Sequence, residues 1–236
     1  MKIEKVEYTH EGTTLEAHVA YDESIKGKRP GILIFHAWRG RDAFVCEKAE
    51  LMAQLGYVGF ALDVYGKGVL GSGPEENAKL MEPLVSNRNF LRERMQVGIQ
   101  AIQNHPVLDS NRIGAMGFCF GGLCALDLAR AGVPLKGVVS FHGQLTGAEG
   151  IKNAPIQAKV LVLHGHDDPM VPPEQVLDFE KEMTEAEADW QVHAYGKTVH
   201  AFTNPEANDP ERGTVYSPSA EKRSMQAMQN FFEEVL

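Results

Sequence analysis

The sequence has 236 residues, of which 43% are hydrophobic and 23% are charged, and its formal net charge is −9 at pH 7. This composition is typical of a globular protein, and the negative charge argues against nucleic acid or an anionic membrane surface as a partner. Three cysteines are too few for a disulfide framework, and the N-terminal segment lacks the apolar core of a signal peptide. We therefore expect a cytoplasmic, reduced location, no membrane segment, and a single domain over residues 1–236.

The predicted elements begin with two alternating segments, 2–8 and 13–21, which form an antiparallel hairpin at a sheet edge. After them, apolar strands alternate with helices. The predicted strands cover 31–36, 57–62, 111–116, 137–141, 159–164 and 190–195, and the predicted helices cover 42–54, 88–104, 123–129, 173–185 and 219–235. This alternation predicts an α/β fold with a doubly wound, mostly parallel sheet flanked by helices. The polar stretch 204–218 is expected to be an irregular loop that borders a site.

The segment GFCFGG at residues 117–122 lies between a predicted strand and a predicted helix. A nucleophile on a sharp strand-to-helix turn is the nucleophile elbow of α/β-hydrolases, and the turn strains the backbone of its central residue. Cys119 occupies that position, and Gly117 and Gly121 stand where side chains would crowd the turn. The N-terminus of the following helix favours a thiolate and a developing oxyanion. The alternative is a buried, non-catalytic Cys119 in a turn used for close packing or phosphate binding.

A thiol nucleophile needs a base, and the base needs an orienting acid. In α/β-hydrolases the chain order is nucleophile, acid, His. Asp168 and His200 have this order and follow predicted strands, and active sites of open parallel sheets lie at the carboxyl ends of strands. Cys119, Asp168 and His200 are therefore the predicted catalytic residues, and Asp167 is the alternative acid.

Backbone N–H groups are expected to bind the oxyanion. One is that of Phe120, which follows the nucleophile, and the second comes from the loop after strand 31–36, where we choose Trp38. The Trp38 indole is also expected to wall the acyl pocket, unless it is simply packed against its neighbours. Other histidines at apolar strand ends are interpreted as packed or site-lining side chains, namely His36, His142 and His164.

Three blocks of this sequence resemble the dienelactone hydrolase family: GFCFGG at 117–122, DPMVP at 168–172 and HAF at 200–202. The order of strands is similar over nearly the whole chain. The resemblance implies an α/β-hydrolase fold without a large cap domain, with Cys119 as nucleophile, His200 as base and Asp168 as its partner. It further implies hydrolysis of a small-molecule ester or lactone without a cofactor or a metal. We expect a monomer or a small homo-oligomer.

Two positions depart from the family pattern. The type enzymes carry a Glu near the thiol, in the loop after the third strand, and the matching residue of the predicted substrate-binding loop is Ala37. They also carry an Arg shortly after the catalytic His, which binds a substrate carboxylate, and the matching residue is Asn204. Dienelactone itself is therefore not the expected substrate. Cations that remain as candidates for binding a carboxylate are Arg39, Arg41, Arg88 and Arg92, and the alternative is that most of them are solvated at the surface.

Two other classes of function remain open. The segment HGHDD at 164–168 resembles the start of the HxHxDH motif of metal-dependent hydrolases, although Pro169 stands in place of the final His. The chain is alternatively a non-enzymatic binding or regulatory protein that keeps the scaffold, because a fold alone does not give a function.

Overall fold

Strands alternating with helices dominate the computed structural model, which describes residues 1–236. The strands are β1 (Lys2–His10), β2 (Thr13–Tyr21), β3 (Arg29–Phe35), β4 (Val58–Leu62), β5 (Leu108–Phe118), β6 (Gly137–Phe141), β7 (Lys159–Gly165), β8 (Trp190–Tyr195), β9 (Asn208–Asp209) and β10 (Thr214–Val215). The helices are α1 (Ala43–Gln54), α2 (Pro74–Ser86), α3 (Arg88–Ile102), α4 (Phe120–Arg130), α5 (Pro173–Glu185) and α6 (Pro218–Val235). None of the helices combines the length and the apolar character needed to cross a membrane.

Eight strands form one sheet in the order β1-β2-β4-β3-β5-β6-β7-β8. The pairs β1–β2 and β2–β4 are antiparallel, whereas β3–β4, β6–β7 and β7–β8 are parallel. Strands β4 and β6 are buried along their whole length, as expected for strands covered by helices on both faces. The predicted fold class, an α/β-hydrolase fold with a mostly parallel sheet and no large cap, is confirmed.

The chain divides into two compact units, Met1–Ala115 and Met116–Leu236. The first contains the N-terminal hairpin, in which Lys2 pairs with Tyr21 and His10 with Thr13, as the alternating pattern predicts. Helix α1 begins after Asp42, whose carboxylate caps it by accepting a hydrogen bond from the Val45 N–H. A single domain over 1–236 stays a prediction.

The second unit contains α4, α5, α6 and the parallel strands β6, β7 and β8. Because parallel strands end at the same edge of a sheet, the loops that follow them are neighbours. The predicted strands 137–141 and 190–195 and the predicted helix 173–185 agree with β6, β8 and α5.

Two features were not predicted from the sequence. Helix α2 buries only Asn77 and Leu84 and contains Pro83, so it has little of the apolar periodicity on which a prediction depends. Strands β9 and β10 form a two-stranded antiparallel ribbon inside the stretch 204–218, which was expected to be irregular. Each strand of the ribbon has two residues, too few for an alternating pattern.

Candidate active site

Cys119 lies at the sharp turn between β5 and α4. Its φ of 55° and ψ of −116° are unusual for a non-glycine residue, and such strain persists only where the surroundings enforce it. The Cys119 N–H donates to the Phe141 carbonyl at the end of β6 over 3.0 Å. A Cβ atom on Gly117 would lie 2.0 Å from the Gly121 carbonyl oxygen, so the turn requires glycine there. The backbone therefore has the geometry expected of a nucleophile elbow.

Asp168 is held in one orientation by three hydrogen bonds. Its N–H donates to the Gly165 carbonyl over 3.0 Å, and its Oδ1 accepts from the Met170 N–H over 2.8 Å. The other carboxylate oxygen, Oδ2, lies 2.7 Å from His200 Nδ1. Asp168 is buried, whereas its neighbour Asp167 is exposed. Of the two candidate acids, Asp168 is the one that contacts His200.

His200 is fixed by the ribbon formed by β9 and β10. Its N–H donates to the Gly213 carbonyl over 2.9 Å, and its own carbonyl accepts from the Val215 N–H over 3.1 Å. Gly213, which directly precedes β10, packs closely against Pro169, the residue after Asp168. A Cβ atom added to Gly213 would lie only 2.3 Å from Pro169 Cγ. The ribbon thus touches the segments that carry both members of the Asp168–His200 pair.

The Cys119 thiol and the His200 ring shift each other's pKa. Burial is the largest influence and raises the pKa of Cys119, but the His200 charge and the Phe120 N–H outweigh it, and the pKa falls below its ordinary value. Burial is also the largest influence on His200 and lowers its pKa, but the Cys119 charge and the Asp168 hydrogen bond raise it to about 10. His200 Nε2 is buried and has no other hydrogen-bond partner, and the side-chain interaction of His200 with the thiol lowers the pKa of Cys119 together with its charge. These shifts favour a thiolate–imidazolium pair.

A second buried imidazole lies beside the His200 ring. The ring centroids of His142 and His200 are 5.1 Å apart, and the rings are inclined at 64°. His142 Nε2 is hydrogen-bonded to Thr203 Oγ1 over 2.8 Å. The sequence predicted a packed or site-lining role for His142, but nothing in it singled out Thr203. His164 is also buried, and burial lowers its pKa against the opposing influence of Asp168.

In the first unit, the loop after β3 carries the predicted oxyanion donor Trp38. The Ala37 carbonyl accepts from the Gly40 N–H over 3.1 Å and lies 2.7 Å from His36 Nδ1. The Trp38 carbonyl accepts from the Tyr65 hydroxyl over 3.0 Å. These contacts fix the orientation of the Ala37–Trp38 and Trp38–Arg39 peptide groups. The roles of Trp38 and Ala37 stay predictions.

Two of the candidate cations, Arg39 and Arg41, have partners within the first unit. The Arg41 guanidinium is hydrogen-bonded to the buried Glu16 carboxylate over 2.6 Å, and Arg39 lies 4.0 Å from Asp42. Arg88 and Arg92 are buried on α3. Asn204, in the second unit, caps its own turn by accepting from the Glu206 N–H over 3.0 Å.

The four polar side chains of HGHDD at 164–168 point to different environments. His164 and Asp168 are buried, whereas His166 and Asp167 are exposed. No group of three or more His, Cys, Asp or Glu side chains is arranged to hold a metal ion.

The chain is similar to several known proteins. The crystal structure of the dienelactone hydrolase-like promiscuous phosphotriesterase P91 from metagenomic libraries superposes with a TM-score of 0.93 at 35% identity, covering 99% of this chain and 98% of that one. A putative carboxymethylenebutenolidase of Aquifex aeolicus is 28% identical, covering 98% of both chains. A probable 2-oxo-3-(5-oxofuran-2-ylidene)propanoate lactonase of Bradyrhizobium is 23% identical over 81% of both chains. The model of the dienelactone hydrolase family matches residues 15–236, and the chain belongs to that family.

Proposed function

We propose that the protein hydrolyses small carboxylic esters or lactones through an acyl-enzyme on Cys119. The observation that supports this most strongly is the arrangement in the second unit. A strained, half-buried thiol with a lowered pKa interacts with His200, which in turn is bonded to a buried carboxylate 2.7 Å away. This is the order of nucleophile, base and orienting acid that covalent acyl transfer requires.

In the acylation half-reaction, the Cys119 sulfur attacks the acyl carbonyl carbon. The carbonyl electron pair moves to oxygen, and the Phe120 N–H stabilises the resulting oxyanion. In this proposal the Trp38 N–H is the second donor, because α/β-hydrolases take one from the loop after the third strand. The tetrahedral intermediate then collapses, the bond to the alcohol oxygen breaks, and His200 donates its Nε2 proton to that oxygen.

In the deacylation half-reaction, neutral His200 takes a proton from a water molecule as the oxygen attacks the thioester carbonyl. The second tetrahedral intermediate expels the Cys119 thiolate and releases the carboxylic acid. Asp168 stabilises the imidazolium in both halves through its hydrogen bond to Nδ1. The cycle needs no cofactor, since thiol and imidazole supply the nucleophile and the proton transfers.

We infer that the preferred substrates lack a free carboxylate. Asn204 replaces the Arg that the family's type enzymes use to bind a carboxylate, and its side chain is engaged in its own turn. Ala37 replaces the family's Glu, so no carboxylate at position 37 competes with His200 for the thiol. Restoring the basic residue with Asn204→Arg is expected to improve turnover of a carboxylate-bearing lactone relative to a neutral one, measured as a ratio of kcat/KM values.

The test of the proposed function is direct detection of the acyl-enzyme. With p-nitrophenyl acetate in excess and rapid acid quenching, mass spectrometry of tryptic peptides is expected to show one acetyl group on Cys119. Cys119→Ala is expected to release p-nitrophenol no faster than buffer. Cys46→Ala is the matched control and keeps its turnover, because burial raises the pKa of the Cys46 thiol and makes it a poor nucleophile. Turnover by Cys119→Ala at the rate of the unmodified protein would contradict the proposal.

Phosphotriesters are a second candidate substrate class. The observation in favour is the 35% identity and the TM-score of 0.93 to the P91 phosphotriesterase. In this reaction Cys119 would attack phosphorus in place of the carbonyl carbon, the bond from phosphorus to the leaving alcohol would break, and His200 would protonate that alcohol. Water activated by His200 would then displace the Cys119 thiolate from phosphorus and release the phosphodiester. The test is release of p-nitrophenol from paraoxon by the unmodified protein and not by Cys119→Ala; equal rates for the two proteins would remove this candidate.

A further inference from the structure

His142 occupies an unusual position at the carboxyl end of β6. Its φ of 38° is rare for a residue with a side chain, although His tolerates positive φ better than most. The His142 N–H donates to the Leu163 carbonyl over 2.8 Å, which ties this turn to β7. The preceding residue, Phe141, accepts the Cys119 N–H over 3.0 Å. The turn at 141–142 therefore contacts the backbone of the nucleophile.

The His142 side chain reaches the loop that carries the base. Its ring packs against His200 and against Phe202, with centroids 5.1 Å away in each case. Its Nε2 is hydrogen-bonded to Thr203 Oγ1, and Thr203 is completely buried. A single side chain thus contacts three residues of the segment 200–203, including the base itself.

The two imidazoles differ in charge. Burial, followed by the charge of His200, lowers the pKa of His142 well below its ordinary value, whereas the pKa of His200 is raised. His164 also lowers the pKa of His142, and Cys119 and Asp168 are the acidic groups that face His200. His142 is consequently neutral when His200 is an imidazolium. A neutral His142 ring packs against the His200 imidazolium without adding a like charge beside it.

On the basis of the proposed function, we propose that His142 is a positioning residue for His200. Its ring supports the His200 imidazole from the side, and its hydrogen bond to Thr203 fixes the His200 loop to the turn that holds the Cys119 backbone. Without this link the His200 imidazole keeps its hydrogen bond to Asp168 but loses its support from the side, and its distance from the thiol changes. Because displacements of a reacting group by about 1 Å cost large factors in rate, a residue that touches no substrate still controls turnover.

Thr203→Val is the sharpest test, because it removes the hydroxyl and keeps the shape of the side chain. We expect kcat for p-nitrophenyl acetate to fall about 10-fold with KM unchanged, which corresponds to the loss of one buried hydrogen bond. The apparent pKa of Cys119, measured from the rate of iodoacetamide alkylation against pH, should rise, because a displaced imidazolium stabilises the thiolate less. Thr203→Ser, which keeps the hydroxyl, should recover most of the turnover.

A double-mutant cycle separates this link from a general effect on stability. His142→Phe keeps a neutral ring and loses Nε2, and combined with Thr203→Val it should lower kcat no more than either single substitution, since both remove the same bond. Ser224→Ala is the matched control, because it deletes a buried hydroxyl that donates to Glu221 in α6. It is expected to lower the thermal midpoint without changing the thiol titration.

The outcomes distinguish this inference from the proposed function. If Cys119→Ala hydrolyses the ester as fast as the unmodified protein, the proposed function fails and this inference fails with it. If Cys119→Ala is inactive but Thr203→Val keeps the kcat and the thiol pKa of the unmodified protein, the inference alone is overturned. Multiplying effects in the double variant would also overturn it, because they would show that His142 and Thr203 act independently.

Discussion

Gly213→Ala tests whether the β9–β10 ribbon positions the Asp168–His200 pair. The new Cβ atom would lie 2.3 Å from Pro169 Cγ, and ordinary contacts begin near 3.4 Å, so one of the two segments must move by about 1 Å. Proline is rigid, so the strain moves either the segment after Asp168 or the ribbon that is bonded to the His200 backbone. Since a displacement of about 1 Å at a reacting group costs about 100-fold in rate, we expect kcat for p-nitrophenyl acetate to fall by that order.

Gly213→Ala also destabilises the fold because it places a Cβ atom on a residue with positive φ, and this loss of stability has a matched control. Gly213 has φ of +66°, and Gly150 has φ of +70° in open space, where a Cβ atom would meet no other atom within 4 Å. Alanine in this region costs about 1–2 kcal/mol, and for a chain of this length that lowers the thermal midpoint by roughly 2–8 °C. Gly150→Ala should show this loss with unchanged kcat, and Gly213→Ala should show a larger loss with reduced kcat. Equal kcat values for the two variants, both folded, would refute a positioning role for the ribbon.

The remaining predictions concern the thiol and its partners. His200→Ala and Asp168→Asn should each lower kcat by about 10⁴-fold, whereas Asp167→Asn should stay within a few-fold, because Asp167 is exposed and Asp168 contacts His200; an inactive Asp167→Asn beside an active Asp168→Asn would reverse the assignment. Alkylation of Cys119 by iodoacetamide should be half-maximal well below about pH 8.5 in the unmodified protein. In His200→Ala the midpoint should lie above that pH, because burial raises the pKa of the thiol and the His200 charge no longer lowers it. Equal midpoints would contradict the thiolate–imidazolium pair. Ester turnover should survive exhaustive treatment with EDTA, and a loss that added zinc restores would favour the metal-dependent alternative.

Much of the fold follows from local patterns in the sequence. Strands such as β6 and β8 consist of short runs bounded by turn residues, and α5 begins at Pro173 after Pro172, so their limits are visible without tertiary information. The elbow is equally local, because Gly117 and Cys119 are two residues apart and the clash that requires glycine arises within the turn itself.

What the sequence left open depends on contacts between distant segments. Asp167 and Asp168 are adjacent and chemically identical, and only the packing of the loop after β7 decides that Asp168 is buried against His200, 32 positions away. The β9–β10 ribbon has no pattern of its own, and it exists because its backbone groups pair with each other and with His200. His142 and Thr203 meet across 61 positions, so no periodicity links them. The sequence by itself therefore determined most of the helices and strands and the chemical types of the site residues. The tertiary structure decided which acid, which ribbon and which second imidazole surround His200, because burial and hydrogen bonding between remote residues exist only in the folded chain.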